Sequence, residues 1–155
     1  MTQKQLVIVA MLGSALLLIG AWGFQHIGGL EPCNLCIKQR WPHGLAVLIG
    51  AVILWTGLYH LAPLGALTAM VGAGYGAYHS GVEKKWWAGP QTCSGGADRS
   101  DLSAEEILNQ LLTSNVVMCD EIAWSFLNVS MAGWNMLFSL ALVWVWLSIS
   151  NRAEH

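Results

Sequence analysis

The chain has 155 residues, of which 55% are hydrophobic and only 10% are charged, and its formal net charge is −2. Its length suits a single domain, and its charged fraction is well below the roughly one quarter that is typical of soluble domains. Because the net charge is negative and no basic cluster occurs, nothing in the sequence indicates a nucleic-acid partner.

Four predominantly apolar stretches follow one another along the chain, at about 6–24, 41–59, 61–79 and 131–150. A helix needs about 18 or more such residues to cross a bilayer, and about 19 residues span about 28 Å, close to a hydrocarbon thickness of about 30 Å. A soluble bundle does not need helices that are apolar on every face. The sequence therefore predicts an all-α membrane protein, a four-transmembrane-helix bundle that forms one integral membrane domain over residues 1–155.

The alternative for the first stretch is a cleaved signal peptide. That reading is disfavoured because the n-region carries only Lys4, the apolar run is too long, and no A-x-A site follows.

The four spans would place the connections 25–40 and 80–130 on one side of the membrane, and the link near His60 with both termini on the other. Within the longer connection, Ser103 and Glu106 have the spacing of a capping box, and the next residues form an apolar face of Ile107, Leu108, Leu111 and Leu112. This pattern predicts a short amphipathic helix that lies on the membrane surface or packs on top of the bundle.

All the cysteines lie in these two same-side connections: Cys33, Cys36, Cys93 and Cys119. Packing cysteines would be expected within the spans too, because most apolar residues lie there. Cys33 and Cys36 form a C-x-x-C motif, whose spacing can bring two sulfurs within bonding distance. A helix N-terminus or a nearby cation lowers a thiol pKa from about 8.5 into the range of about 3.5–7.5, and the thiolate is the form that attacks disulfides.

Arg40 lies four residues after Cys36 and shares its face if this segment is helical. Pro42 biases Trp41 away from helical geometry. Either the second helix begins at Pro42, with the C-x-x-C just outside it, or it begins near Asn34 and kinks.

Two other interpretations of the cysteines are a zinc site and a pair of structural disulfides. Zinc ribbons usually repeat the C-x-x-C, whereas Cys93 and Cys119 are far apart. A structural disulfide gains most by closing a long loop, and a Cys33–Cys36 bond would close almost nothing. We therefore predict two redox dithiol pairs and no metal. The loop pair would meet a soluble protein, and the membrane-edge pair would meet a lipid-soluble two-electron acceptor, a quinone.

Redox chemistry and the distribution of basic residues predict opposite orientations of the chain in the membrane. Disulfide chemistry favours placing the cysteines outside the cytoplasm. The basic residues on the cysteine side are Lys38, Arg40, Lys84, Lys85 and Arg99, and those on the other side are Lys4 and Arg152. The positive-inside rule alone would therefore place the cysteines in the cytoplasm. Because the counts are small and a basic residue held in a site is not a free topology signal, we expect both termini, rather than the cysteines, to be cytoplasmic.

Several motifs resemble one known family. E-P-C-N-L-C-I-K-Q-R, Y-H-S-G-V-E, T-C-S-G-G, C-D-E-I-A-W-S-F-L and S-M-A-G-W-N are similar to the disulfide bond formation protein B (DsbB) family, and the resemblance covers essentially the whole chain. It implies a multi-pass protein of the bacterial inner membrane, with periplasmic cysteine loops. It also implies re-oxidation of a periplasmic thioredoxin-like dithiol oxidase, DsbA, and reduction of ubiquinone or menaquinone.

The resemblance also assigns roles to residues. Cys93 would form the mixed disulfide with the reduced partner, and Cys119 would be its disulfide mate. Cys33 would exchange with this loop pair, whereas Cys36 would contact the quinone ring.

Two further residues complete the implied site. Arg40 matches the arginine that stabilises the thiolate and the developing quinone anion. His79 falls where the family has a quinone-proximal histidine, which can donate a hydrogen bond or a proton to a quinone oxygen.

Other polar residues near the site receive simpler interpretations. Gln39 could bond a quinone carbonyl, although we expect it to cap a helix, and His43 lies in the first turn of the second span. Glu83 is expected to be solvated. Lys38 stands where the family pattern has an apolar or aromatic residue.

Two competing functions remain. A protein like vitamin K epoxide reductase also uses a helical bundle, a C-x-x-C and a quinone, but there the C-x-x-C comes late in the chain, whereas here it comes early. The second competing function is that of a structural four-span membrane protein whose loops are held by disulfides.

Overall fold

The computed structural model describes residues 1–90, 103, 105 and 117–153. Four long helices dominate this part of the chain: α1 (Gln3–His26), α2 (Asn34–Thr56), α3 (Ala62–Glu83) and α4 (Met131–Ala153). A 3-10 helix (Tyr59–Leu61) precedes α3, and the strands β1 (Ser125–Phe126) and β2 (Val129–Ser130) pair antiparallel directly before α4. Cys93 and most of the predicted loop helix, including its apolar face over 107–112, lie outside the described residues.

The helices form a bundle in which α1 and α3 each contact both α2 and α4. The main core cluster includes Val7 of α1, Ile53 of α2, Ala66 of α3 and Trp146 of α4. These positions lie in the first part of α1 and α3 and in the last part of α2 and α4. The hydrophobic core therefore occupies the end of the bundle away from the C-x-x-C motif.

Among the residues that the structure describes, two helices are long and apolar enough to cross a membrane: α1, with a mean hydropathy of 2.3, and the segment Met131–Asn151 of α4, with 1.6. The prediction of four spans is confirmed by composition for these two, whereas the spanning of α2 and α3 stays a prediction. Large apolar side chains point outward from all four helices, including Ile19 (61% exposed), Leu48 (64%), Leu67 (60%) and Trp144 (71%). Outward apolar faces of this kind are typical of helices that contact lipid.

Helix α2 begins at Asn34 and contains Pro42, so the second of the two predicted starts is correct. Cys33 is the N-cap, with an extended backbone, and its sulfur accepts a hydrogen bond from the Cys36 amide at 3.2 Å. This contact satisfies one of the amides that a helix N-terminus leaves unpaired. The helix ends at Thr56, before the predicted 59, because Gly57 adopts the left-handed conformation (φ 74°) that stops it.

Helices α3 and α4 are in close backbone contact at Gly76. A Cβ atom at that position would lie 2.8 Å from the Met136 amide nitrogen and 2.9 Å from the Ala132 carbonyl oxygen. These are backbone atoms, which cannot move aside as a flexible side chain can. Gly74 lies on the same helix, and a Cβ there would meet nothing within 4 Å. Close helix contact at small residues is the usual packing mode in membranes.

We therefore expect Gly76→Ala to lower the free energy of unfolding by about 1–3 kcal/mol, the typical cost of overpacking. Gly74→Ala is the matched control and should be neutral or slightly stabilising, because alanine favours helix. Thermal unfolding in detergent measures both. Equal stability of the two variants would contradict the close contact.

Candidate functional site

The C-x-x-C motif forms a pair of free thiols at the N-terminus of α2. Cys33 is buried, Cys36 is half-buried, and their sulfurs are 2.7 Å apart. A pair of free thiols does not clip a loop, so this motif does not act as the structural disulfide that the clip hypothesis requires in this state. Sulfurs in contact at a helix N-terminus are instead typical of a redox dithiol.

Cys33 carries the negative charge of the pair. The hydrogen bond from the Cys36 thiol is the main cause that lowers the pKa of Cys33 to about 5, while burial acts in the opposite direction. His79 lowers this pKa further through its hydrogen bond to the Cys33 sulfur. Cys33 is therefore a thiolate at neutral pH, the form that attacks disulfides.

His79 reaches the thiol pair from the last turns of α3. It is 3% exposed, and its Nε2 lies 3.6 Å from the Cys33 sulfur and 3.9 Å from Glu83 Oε1. The expectation that Glu83 is solvated is wrong, because its side chain is only 6% exposed and bonds the Ser130 side chain of the hairpin. The end of α3 is therefore covered by the hairpin, and His79 and Glu83 face the sulfurs rather than water.

Cys119 lies in the same buried cluster as the C-x-x-C motif. This cluster contains Cys33, Leu35, Val82 and Cys119, and Cys36 packs against it. Cys119 is disulfide-bonded, and its backbone hydrogen-bonds His79. Since a disulfide sulfur is not a thiolate ligand, this state does not fit a zinc site built from all the cysteines. A cysteine from the long loop thus lies beside the membrane-edge pair.

Arg40 points toward α1. Its Nη1 donates to Gln25 Oε1 at 2.7 Å, and its Nη2 donates to the Ala21 carbonyl at 3.4 Å. Gln25 could not be identified from the sequence, because its contact with Arg40 joins two different helices. The hydrogen bonds hold the guanidinium at one wall of the cavity described next.

A cavity of about 430 Å³ brings most of the predicted residues together. Cys33, Cys36, Arg40 and His79 all line it. Much of the remaining wall is apolar and comes from α1 and α4, including Leu16, Leu17, Phe24, Trp134 and Phe138. An apolar pocket with a few convergent polar groups is the usual form of a small-molecule site.

A run of aromatic rings borders this cavity. Successive ring centroids are 5.1, 6.3, 6.3 and 5.6 Å apart along Phe24, Trp124, Phe126, Trp134 and Phe138. The hairpin contributes the middle of the run, since Leu127 and Asn128 turn the chain with positive φ angles. The sequence showed these aromatics but not their arrangement around one cavity.

Polar residues of three helices connect behind the sulfurs. Gln39 bonds His79 at 2.7 Å and Asn135 at 2.8 Å, and Asn135 bonds His43 at 2.9 Å. The prediction that Gln39 caps a helix is wrong, because its amide lies inside the bundle. Sequence reasoning assigned no role to Asn135, although it closes the S-M-A-G-W-N motif and is a polar residue in an apolar span.

Three metal-ligand atoms also meet here. The two sulfurs of Cys33 and Cys36 and a ring nitrogen of His79 lie within 4.8 Å of one another. This set could hold a thiophilic ion such as Zn²⁺, which would compete with oxidation of the dithiol.

The fold and the site define a membrane protein with the site of a thiol–disulfide oxidoreductase. A family model described as Disulfide bond formation protein DsbB matches residues 3–149, so the chain belongs to the DsbB family. It is thus a disulfide bond formation protein of the membrane.

Curated relatives agree with this assignment. Proteins called Disulfide bond formation protein B are 31% identical in Albidiferax ferrireducens (77% of this chain and 75% of the relative) and 28% identical in a Polaromonas species (98% and 92%). Another, from Xylella fastidiosa, is 34% identical over 81% of this chain and 77% of the relative. No solved structure matches the chain.

The acidity of Cys33 gives a prediction. In protein with the Cys33–Cys36 pair reduced, alkylation of Cys33 by iodoacetamide should be half-maximal near pH 5, because the pKa is lowered to about 5 and thiolate persists above it. Cys36→Ala removes the main donor and should move the midpoint toward the ordinary value of about 8.5. Cys36→Ser keeps a hydroxyl donor and is the matched control. Mass spectrometry of the Cys33 peptide measures the rates, and a wild-type midpoint above pH 8 would contradict this account.

Proposed function

We propose that this protein re-oxidises a periplasmic thioredoxin-like dithiol oxidase of the DsbA type and passes the electrons through two cysteine pairs to a membrane quinone. One observation carries the proposal: the reduced C-x-x-C pair lies between the buried disulfide-bonded Cys119 and an apolar cavity. One side of the pair suits exchange with another disulfide, and the other side suits a lipid-soluble acceptor.

The sulfur chemistry is two successive exchanges. The reduced partner attacks Cys93 of a Cys93–Cys119 disulfide, and completion of this exchange leaves the partner oxidised and the loop pair reduced. The freed Cys119 thiolate then attacks Cys33 of an oxidised Cys33–Cys36 bond, and Cys36 leaves with the electron pair. Cys93 next attacks Cys119 of the resulting Cys119–Cys33 bond, which restores the loop disulfide and releases Cys33, so that the Cys33–Cys36 pair is fully reduced. Burial of Cys119 in one cluster with Cys33 supports this second exchange. Each exchange breaks one S–S bond and forms one, so two electrons move toward the membrane.

Re-oxidation of the Cys33–Cys36 pair releases two electrons, which a quinone can accept. Strong soluble dithiol oxidants have potentials of about −120 mV, so the final acceptor must lie well above that value. A further protein disulfide meets this requirement poorly. Ubiquinone and menaquinone are the quinones of bacterial membranes that the family resemblance implies.

The residues of the cavity fit such a molecule. Cys36 offers the sulfur that the quinone ring would contact, Arg40 offers a fixed positive charge for an oxygen that gains electrons, and His79 offers a ring nitrogen. The apolar walls from α1 and α4 suit the ring and its hydrocarbon tail, and they exclude water. When bound, the quinone supplies the two-electron acceptor that the cysteines lack.

The proposed location is the bacterial inner membrane, with four spans, both cysteine loops in the periplasm and both termini in the cytoplasm. The basic residues on the cysteine side do not weigh strongly against this orientation. Arg40 is held by α1, and the Lys84 ammonium lies 4.9 Å from the centre of the Trp86 ring. Both charges are engaged by the protein surface rather than free to determine topology.

The function is tested with purified protein, a reduced DsbA-type partner and a soluble quinone mixed without oxygen. We expect the wild-type protein to oxidise the partner and reduce an equal amount of quinone, whereas Cys36→Ser should leave the partner reduced, because no Cys33–Cys36 disulfide can form. Gly74→Ala is the control for purification and reconstitution, because a Cβ at Gly74 would meet nothing within 4 Å. Quinone absorbance and thiol titration follow the two products. Full partner oxidation by Cys36→Ser would refute the relay.

Arg40→Ala should raise the apparent KM for quinone by about 10- to 150-fold, because a hydrogen bond to a charged group contributes about 1.5–3 kcal/mol. The matched control is Lys38→Ala, which removes another cation of the same helix whose side chain is exposed. Steady-state kinetics at varied quinone concentration measure both variants. Unchanged quinone kinetics in Arg40→Ala would remove Arg40 from the quinone site.

A further inference from the structure

A chain of side-chain hydrogen bonds runs from the Cys33 sulfur into the interior of the bundle. It passes from Cys33 to His79 (3.6 Å), to Gln39 (2.7 Å), to Asn135 (2.8 Å) and to His43 (2.9 Å). The members come from α2, α3 and α4. All but the half-buried Asn135 are less than 10% exposed: Cys33 5%, Gln39 7%, His43 3% and His79 3%. Buried polar chains of this kind hold their members in one arrangement, because an unpaired buried polar group is costly.

Two backbone carbonyls fix the direction of these hydrogen bonds. The Leu35 carbonyl lies 3.4 Å from Gln39 Nε2, and the Gly72 carbonyl lies 3.5 Å from Asn135 Nδ2. Since a carbonyl can only accept, the nitrogen of each side-chain amide must face it. The amide oxygens then accept: Gln39 Oε1 from Asn135, and Asn135 Oδ1 from His43 Nε2.

This arrangement determines the tautomer of His79. The Gln39 amide nitrogen can only donate, so His79 Nδ1 must accept, and the single proton of the neutral ring lies on Nε2. The groups on the other side of the ring are acceptors. They are the Cys33 sulfur at 3.6 Å from Nε2, Glu83 Oε1 at 3.9 Å from Nε2, and the Cys119 backbone. An Nε2–H group therefore faces the sulfur.

We propose that Gln39 and Asn135 are positioning residues that hold His79 as an Nε2–H donor toward the Cys33 sulfur. The donor is then in place whenever Cys33 becomes a thiolate, with no need for the ring to turn or to exchange a proton first. Asn135 acts at one remove: it donates to Gln39 Oε1, so the Gln39 amide cannot reverse and present its oxygen to His79. The use of this thiolate in electron transfer rests on the proposed function, whereas the tautomer itself does not.

The groups that face Cys33 and His79 are known from each neighbouring element. Cys36 of α2 and Glu83 of α3 are titratable, and the Cys119 backbone comes from the segment before the hairpin. Arg40 is turned toward α1. Gln39 is the group that contacts Nδ1 of His79, so a substitution of Gln39 should change which ring nitrogen carries the proton.

The first test replaces Gln39 by glutamate. Once ionised, a carboxylate offers only acceptors, so Nδ1 of His79 must take the proton and Nε2 of the neutral ring must lose it. The full chain is labelled with ¹⁵N-histidine, kept reduced in detergent at pH 8 without partner or quinone, and His79 is assigned by comparison with His79→Asn. We expect the Nδ1 resonance to change from the unprotonated to the protonated type, and the alkylation midpoint of Cys33 to rise.

Asn135→Asp tests the same control of the His79 tautomer at a residue that does not contact His79. An ionised aspartate can only accept, and as a charged acceptor it competes with the more distant Leu35 carbonyl (3.4 Å) for the Gln39 nitrogen. We therefore expect the Gln39 amide to turn its nitrogen toward Asp and its oxygen toward His79 Nδ1. We expect the same change of the Nδ1 resonance as in Gln39→Glu. A residue with a merely structural role would not move a proton on a ring that it does not contact.

Gln3→Glu is the matched control, because it makes the same change at Gln3, whose side chain bonds the Ile149 carbonyl at the far end of the bundle. It should leave both readouts at wild-type values. If a charged variant does not fold, the uncharged Gln39→Met variant replaces it, and the Nδ1 resonance should still shift because this nitrogen loses its donor.

Two results would overturn the proposal: an Nδ1 that stays unprotonated in folded Gln39→Glu and Asn135→Asp, or, in the fallback variant, an unchanged Nδ1 resonance. A doubly protonated His79 ring, together with a lowered pH midpoint of Cys33 alkylation, would also overturn it. The Nε2–H group would then persist without the Gln39 donor at Nδ1. Because no partner or quinone is present, these outcomes are independent of whether the protein oxidises a partner.

Discussion

The backbone contact between α3 and α4 is the constraint on which the site depends. At Gly76 the two backbones are so close that even a methyl group would collide with the opposite helix. Gly72 and His79 lie four residues before and three residues after Gly76, on the same face of α3. Without a side chain between the helices, Asn135 of α4 can bond both the Gly72 carbonyl and Gln39. Hydrogen bonds tolerate only a few tenths of an ångström, so wider packing would uncouple them.

Because the exterior of the bundle is apolar, its buried polar groups depend on hydrogen bonds within the protein. The helices present leucine, isoleucine and tryptophan outward, and beside the apolar core they also bury histidine, glutamine and serine. Without water at hand, each buried donor and acceptor needs a partner in the protein. Amide side chains answer this need well, because one end donates and the other accepts. A chain of such amides can therefore fix which atom donates and which accepts in each hydrogen bond across several helices.

The Cys33–Cys36 pair lies between the buried polar residues of the bundle and the segment that contains Cys119 and the hairpin. Its position at the start of α2 provides unpaired backbone amides and the positive end of the helix, both of which favour a thiolate. Cys33 lies beside Cys119, where an acidic thiol suits disulfide exchange, and both sulfurs line the apolar cavity. One pair of residues therefore has access to two kinds of reactant, a disulfide and a lipid-soluble molecule.

Much of the protein was readable from its sequence. Hydrophobic length indicated the helices, the C-x-x-C and its flanking motifs indicated the DsbB family, and local spacing was enough because those signals lie within a few residues. The position of Pro42 alone could not decide where α2 begins, since the deciding contact is the capping of the Cys36 amide by Cys33.

Tertiary structure decided what Gln39, Glu83 and Asn135 do. Gln39 and Asn135 are 96 residues apart, and His79 is 46 residues from Cys33. A polar residue in an apolar helix shows no partner in its own periodicity, because its hydrogen bonds form only after the helices pack. The sequence determined which chemical groups the helices carry, and packing determined which of them meet.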